Sequence, residues 1–152
     1  MFSFPVEVWC GEGSWVKINS YQDFKREMAT ISYGGFTKIL SNIKKYITDD
    51  EVRAFYPKNY FTDSAEVEFF IFTDRSIIRF RQNAKASDVM YCKDFQVETL
   101  RIIKSNSRQE EIQLEIKLRS GENFFFDSKT DSNHEWVDSY AKYIENIFIM
   151  LK

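Results

Sequence analysis

The segment EIQLEIKLR, residues 111–119, alternates without a fault: Ile112, Leu114, Ile116 and Leu118 stand against Glu111, Gln113, Glu115, Lys117 and Arg119. Successive side chains of an extended strand point to opposite faces, so this stretch has one apolar and one wet face. Such a strand belongs in an antiparallel sheet with one side packed and the other solvated. The rest of the chain must therefore supply neighbouring strands and a cover for the apolar face.

The same period of two begins near Glu66. Val67, Phe69 and Ile71 alternate with Glu66, Glu68 and Phe70, the residues TDRS (73–76) make a tight turn, and SIIRFRQ (76–82) runs back as a second strand. Residues 88–93 and 95–104 predict two more strands. Ser120-Gly121-Glu122 turns the 111–119 strand into NFFFD (123–127), giving about six in all.

Outside this block the period is helical. VEVWC and SWVKI flank Gly11-Glu12-Gly13 and suggest a short hairpin. Ser20 precedes a helix with Tyr21, Phe24, Met28 and Ile31 on one face, and Gly34-Gly35 breaks it. Phe36, Ile39, Leu40, Ile43 and Ile47 form a second stripe. Thr48-Asp49-Asp50-Glu51 reads as a capping box opening a short helix that stops before Pro57. Ser132-Asn133-His134-Glu135 reads as another, opening a long helix with Trp136, Tyr140, Ile144, Ile147 and Leu151 aligned to cover the apolar side of the sheet. The expected architecture is α+β: one domain over 1–152, with a mainly helical prefix to residue 60, the strand block, and a closing helix.

Composition narrows the function classes. Of 152 residues, 43% are apolar and 17% aromatic, which excludes a disordered chain. A net charge of -2 argues against general nucleic-acid binding, which needs a dense basic surface. No apolar run reaches the roughly 18 residues of a membrane span, so the chain is not expected to be transmembrane. The N-terminus MFSFPVEVWCGEGS lacks a positive segment followed by a long apolar one, which points to a cytoplasmic protein with Cys10 and Cys92 as reduced thiols.

The block FFIFTDRSIIRF (69–80), a polar loop, three further strands and a terminal helix resemble the bacterial pleckstrin-homology-like (PH-like) domain over about residues 65–152. The resemblance implies a bent sheet or partial barrel of about six antiparallel strands closed by the C-terminal helix, behind an N-terminal helical prefix. The whole chain also resembles small proteins of Bacillus-type bacteria, a likeness that implies no activity. The element order fits a second fold, the helix-grip fold of START and Bet v 1-like proteins, whose last helix encloses an apolar ligand cavity.

The resemblance also implies a site. In eukaryotic PH domains a basic residue followed by Lys/Arg-x-Arg on the first hairpin holds an anionic headgroup. Here Arg75, then Arg79-Phe80-Arg81, with Lys85 in the next loop, are the corresponding candidates. Strand alternation puts Arg79 and Arg81 on the face opposite Ile78 and Phe80, where forked hydrogen bonds suit a phosphate or carboxylate. Asp74 opposes an anion there, and Glu66 and Glu68 on the paired strand are the expected neutralising partners.

Nothing else carries chemistry. His134, the single histidine, sits in a capping box, and neither a metal cluster nor a nucleotide-binding glycine pattern is present, so no cofactor and no catalytic residue are assigned. Asp49-Asp50-Glu51 reads as first-turn acids favoured by the helix dipole. The rings of Phe124-Phe125-Phe126, Phe70 and Phe72 stand on both faces of their strands. The N-terminal helices are expected to cover the second face. The alternative is an exposed apolar patch for a protein partner or a homodimer.

Overall fold

The computed structural model describes residues 8–9, 15–16, 21–30, 34–62, 66–107 and 111–152. Strands β1 (Val8–Trp9) and β2 (Trp15–Val16) pair antiparallel, as a hairpin about Gly11-Glu12-Gly13 requires, although the turn itself lies outside the described residues. Helix α1 spans Tyr21–Thr30 and α2 spans Gly34–Tyr46. The two glycines therefore open the second helix.

The Thr48 capping box forms, with Thr48 N donating to Glu51 Oε1 at 2.8 Å, but it caps only a single 3-10 turn, Asp49–Glu51. The chain then enters strand β3 (Ala54–Lys58) where a continuing helix was expected. Pro57 is tolerated there because β3 is an edge strand that pairs with β4 alone.

Strands β4 (Val67–Phe72), β5 (Ser76–Gln82) and β6 (Ser87–Lys93) complete an antiparallel sheet in the order β3-β4-β5-β6. Strands β7 (Val97–Lys104), β8 (Ile112–Leu118) and β9 (Asn123–Asp127) form a second sheet in chain order. The six strands expected between residues 66 and 127 all form, and β8 is buried at Ile112, Leu114, Ile116 and Leu118 as its alternation requires.

The two sheets pack face to face through aromatic rings. Phe126 lies 4.2 Å from Tyr56 and 4.9 Å from Phe70, centroid to centroid, and Phe70 meets Phe124 at 5.6 Å. On the other face of the first sheet, α1 lays Phe24 against Phe55 and Phe69, and α2 lies over β5. That cover explains why β4 buries large side chains on both faces, Phe69 and Ile71 under the helices and Phe70 and Phe72 toward the second sheet.

Helix α3 (Val137–Leu151) runs along the edge strand β3 and also packs on all three strands of the second sheet, β7, β8 and β9, in keeping with the cover that the sequence reading gave it. Its Tyr143 ring reaches Phe55 on the helix-covered side, while Tyr140 reaches Tyr56 on the side of the second sheet. The expected Ser132/Glu135 capping box does not form. Asn133 Oδ1 instead accepts from the N–H groups of Glu135 and Trp136, and Ser132 turns its hydroxyl back onto the Ser128 carbonyl. Asn133 sits nearer the entry of the turn, so its short amide reaches those donors first. No described helix is long and apolar enough to cross a membrane.

Candidate functional site

The arginine hairpin, β4–β5, is the second hairpin of its sheet, because β3 precedes it. Its turn is closed by Thr73, whose Oγ1 accepts from Ser76 N at 3.0 Å while Thr73 N donates to Ser76 O. Asp74 does not confront an incoming anion unopposed. Arg53, just before β3, grips it with two bonds, Nε to Oδ1 at 3.0 Å and a terminal nitrogen to Oδ2 at 3.2 Å. Arg75 is held in turn by Asp94, 2.7 Å away. Together with Lys93, Asp50 and Glu51 these pairs line a cleft of about 430 Å³.

Arg79 and Arg81 stand elsewhere. Six residue steps along the chain separate Arg75 from Arg81, about 20 Å at 3.3 Å per residue, so Arg75 stands well away from Arg81. Arg81 lies across from Asp88 on β6 and reaches it at 3.0 Å, with Glu66 at 3.7 Å. Arg79 meets the same Asp88 carboxylate at 3.4 Å. The neutralising partner is thus mainly Asp88, from the strand opposite the one expected, and Glu68 faces Arg81 in register without an ion pair among the described contacts. Lys85 lies in the β5–β6 turn, where Asn83 Oδ1 accepts from the N–H groups of Lys85 and Ala86. Its ammonium has no carboxylate partner among the described residues.

The parity of the two arginines is as read, and Arg79 is the more buried of the two. Arg79 lies between Phe70 and Met90 in the sheet register, on the side facing β9. Its side chain is 20% exposed, and its Nε is buried with no hydrogen-bond partner. A neighbour on that face, Cys92, is a buried free thiol. Burial pushes the Cys92 thiol above its ordinary value, as does the nearby Glu122 carboxylate, while Arg79 pulls the other way. Cys10 lies outside the described residues.

A second polar cluster had no signature in the sequence. Asp131, 3% exposed, accepts from the Lys58 ammonium at 2.9 Å, the Tyr56 hydroxyl at 2.8 Å and the Asp127 N–H at 2.9 Å. Lys58 also donates to the Phe125 carbonyl at 2.8 Å. Burial, reinforced by the Asp131 charge, drives the Tyr56 hydroxyl well above the usual tyrosine value, so it acts only as a neutral donor. The cluster ties β3 to β9. Its members lie far apart in sequence in contexts that mark no site, and an edge lysine and a loop aspartate announce nothing alone.

The described residues therefore define an α+β protein built on two packed antiparallel sheets with a C-terminal helix, its hairpin cations held largely by its own carboxylates. The chain belongs to the family described as protein of unknown function DUF3908, whose model matches residues 14–142. It has no significant match among curated proteins or solved structures.

Proposed function

We propose that this chain is a non-catalytic binding module of PH-like architecture, acting in the bacterial cytoplasm, that recognises a protein partner. The PH-like resemblance implies about six antiparallel strands bent into a partial barrel and closed by the C-terminal helix; seven strands in two packed antiparallel sheets with a C-terminal helix are compatible with it and support that reading over a helix-grip one.

The carrying observation is the filling beneath α3. Tyr56, Phe126, Tyr140 and Tyr143 are all between 0% and 1% exposed and touch one another there. A carrier of an apolar ligand needs a cavity of about 300 Å³ or more, and these rings occupy the place it would take. The working parts of such a protein are then its surface, hairpins and strand edges.

An anionic group is the second reading, motivated by Arg75, Arg79, Arg81 and Lys85. It is the weaker one, because Asp94 and Asp88 already occupy three of the four cations and an outside anion must displace them. Native mass spectrometry of the chain purified from cells without added ligand tests the module reading. An unadorned chain mass is expected, and an adduct of small-molecule mass that is lost on denaturation would overturn it. Sedimentation with phosphoinositide vesicles tests the anion reading, and vesicle binding that survives Arg81→Gln combined with Lys85→Gln would remove those residues from any site.

A further inference from the structure

Of the four edges of the two packed sheets, two are closed by side chains. Hydrogen bonding alternates along an antiparallel strand, so every second residue points its N–H and C=O away from the paired neighbour. On β3 the outward positions include Pro57, which has no N–H and whose carbonyl accepts from the Tyr140 hydroxyl. On β9 they include Phe125, whose carbonyl takes Lys58, and Asp127, whose N–H goes to Asp131.

The other two edges are open. In β7 the bond from Ser105 N to Glu111 O sets the phase, so residues 99, 101 and 103 bond to β8 while Leu100, Ile102 and Lys104 point outward. In β6 the bond from Asn83 N to Ala86 O leaves Val89 and Tyr91 outward. None of these outward groups has a backbone or side-chain partner among the described residues. Sheet edges are normally blunted by proline, charged side chains or a cover; β3 and β9 are covered by side-chain hydrogen bonds, whereas β7 carries only Lys104 at the end of its outward row.

Of the two, β7 has the more specific surroundings. Leu100 and Ile102 are half-buried on the inner face, beside the fully buried Ile116 and Leu114 of β8. Arg101, on the outer face, is 64% exposed, and its nearest carboxylate, Glu115, stands 3.7 Å away. At the end of the strand Lys104 is held at 2.7 Å by Glu145 of α3, and Ile149, one turn on from Glu145, is 59% exposed. An added strand here meets apolar side chains on one face and an underused guanidinium on the other.

We propose that the free edge of β7 accepts, by strand addition, an extended segment of a partner protein in which apolar and acidic residues alternate. The proposal rests on the binding-module reading and names the chemistry of its partner. Main-chain bonds to Leu100, Ile102 and Lys104 supply the docking, and alternate side chains supply the choice of sequence. In a second copy of the chain, the two-fold register that pairs Leu100 with Ile102 would set Arg101 against its own image, and self-association is one of the outcomes the test distinguishes.

The test uses the full chain and blocked heptapeptides, one alternating valine with aspartate and one alternating valine with lysine, read by amide hydrogen exchange and NMR titration. The aspartate peptide is expected to protect the Leu100, Ile102 and Lys104 amides, and Arg101→Glu to weaken it by about tenfold while favouring the lysine peptide. Protection at Val89 and Tyr91 instead, protection that rises with protein concentration without peptide, or no protection at about millimolar peptide each overturns the proposal. Those outcomes leave the module reading standing, because that reading falls only to a retained small molecule.

Discussion

Lys58 and Asp131, 73 positions apart in the chain, bring ammonium and carboxylate within 2.9 Å at the corner where the two sheets meet. The contact does three things at once. It neutralises a buried carboxylate, it fills the outward carbonyl of Phe125, and through Tyr56 it reaches the ring layer under α3. A buried charge that keeps good partners is tolerated, and one stripped of them is expensive.

Asp131→Ala is therefore expected to cost about 3 kcal/mol or more, because it strands a part-buried ammonium. Lys58→Ala should cost less, since Asp131 keeps the Tyr56 hydroxyl and the Asp127 N–H. Urea denaturation of both single variants and the double variant gives the coupling directly, and additive losses would show that the two side chains act independently.

Arg79 and Arg81 should answer differently to substitution. Arg79→Met keeps the stem that packs between Phe70 and Met90 and removes a buried Nε without a partner, so it is expected to be neutral or mildly stabilising. Arg79→Glu puts a carboxylate against Asp88 in the same place and should cost a few kcal/mol. Arg81→Gln should fall within about 0.5 kcal/mol of the parent. Thermal melts of the three variants check the order, and a harmless Arg79→Glu would contradict the burial of that side chain.

Phe24 anchors α1 against Phe55, Phe69, Trp136 and Tyr143 while 1% exposed. Phe24→Ala is expected to cost about 3–5 kcal/mol and to increase binding of an apolar dye to the uncovered sheet face. A loss below 1 kcal/mol would mean that the helical prefix adds little to the sheet pair.

Asp49 links α1 to the 3-10 turn, taking Lys25 at 2.7 Å and Gln22 at 2.9 Å. Burial raises its carboxyl, but the hydrogen bonds from Lys25 and Gln22 and the charges of Lys25 and Lys44 outweigh that and hold it below the usual value. A lowered folded value means stability present above the ordinary aspartate range, near 3.9, and lost as pH falls through the folded value. The parent should thus exceed Asp49→Asn by under about 1 kcal/mol at neutral pH, the side chain being half exposed, and the gap should close on acidification. Unfolding curves from pH 7 to pH 2.5 on both proteins measure it, and a gap that widens toward acid would reverse the assignment.

Residue alternation and turn residues determined the strands β4, β5, β8 and β9, since period two is a property of the extended backbone and needs no tertiary partner. The same holds for the parity of Arg79 and Arg81 and for the amphipathic stripe of α3. Strand β3 was hidden because AFYPK combines a proline with four consecutive buried residues, a pattern that makes sense only once α3 protects its outer edge. The face on which Arg79 lies, the choice of Asp88 over Glu68, and the meeting of Lys58 with Asp131 were decided by how the second sheet settles on the first. Local sequence sets which way a side chain points from its strand; what it then meets depends on which element packs there, and that is a long-range property of the whole chain.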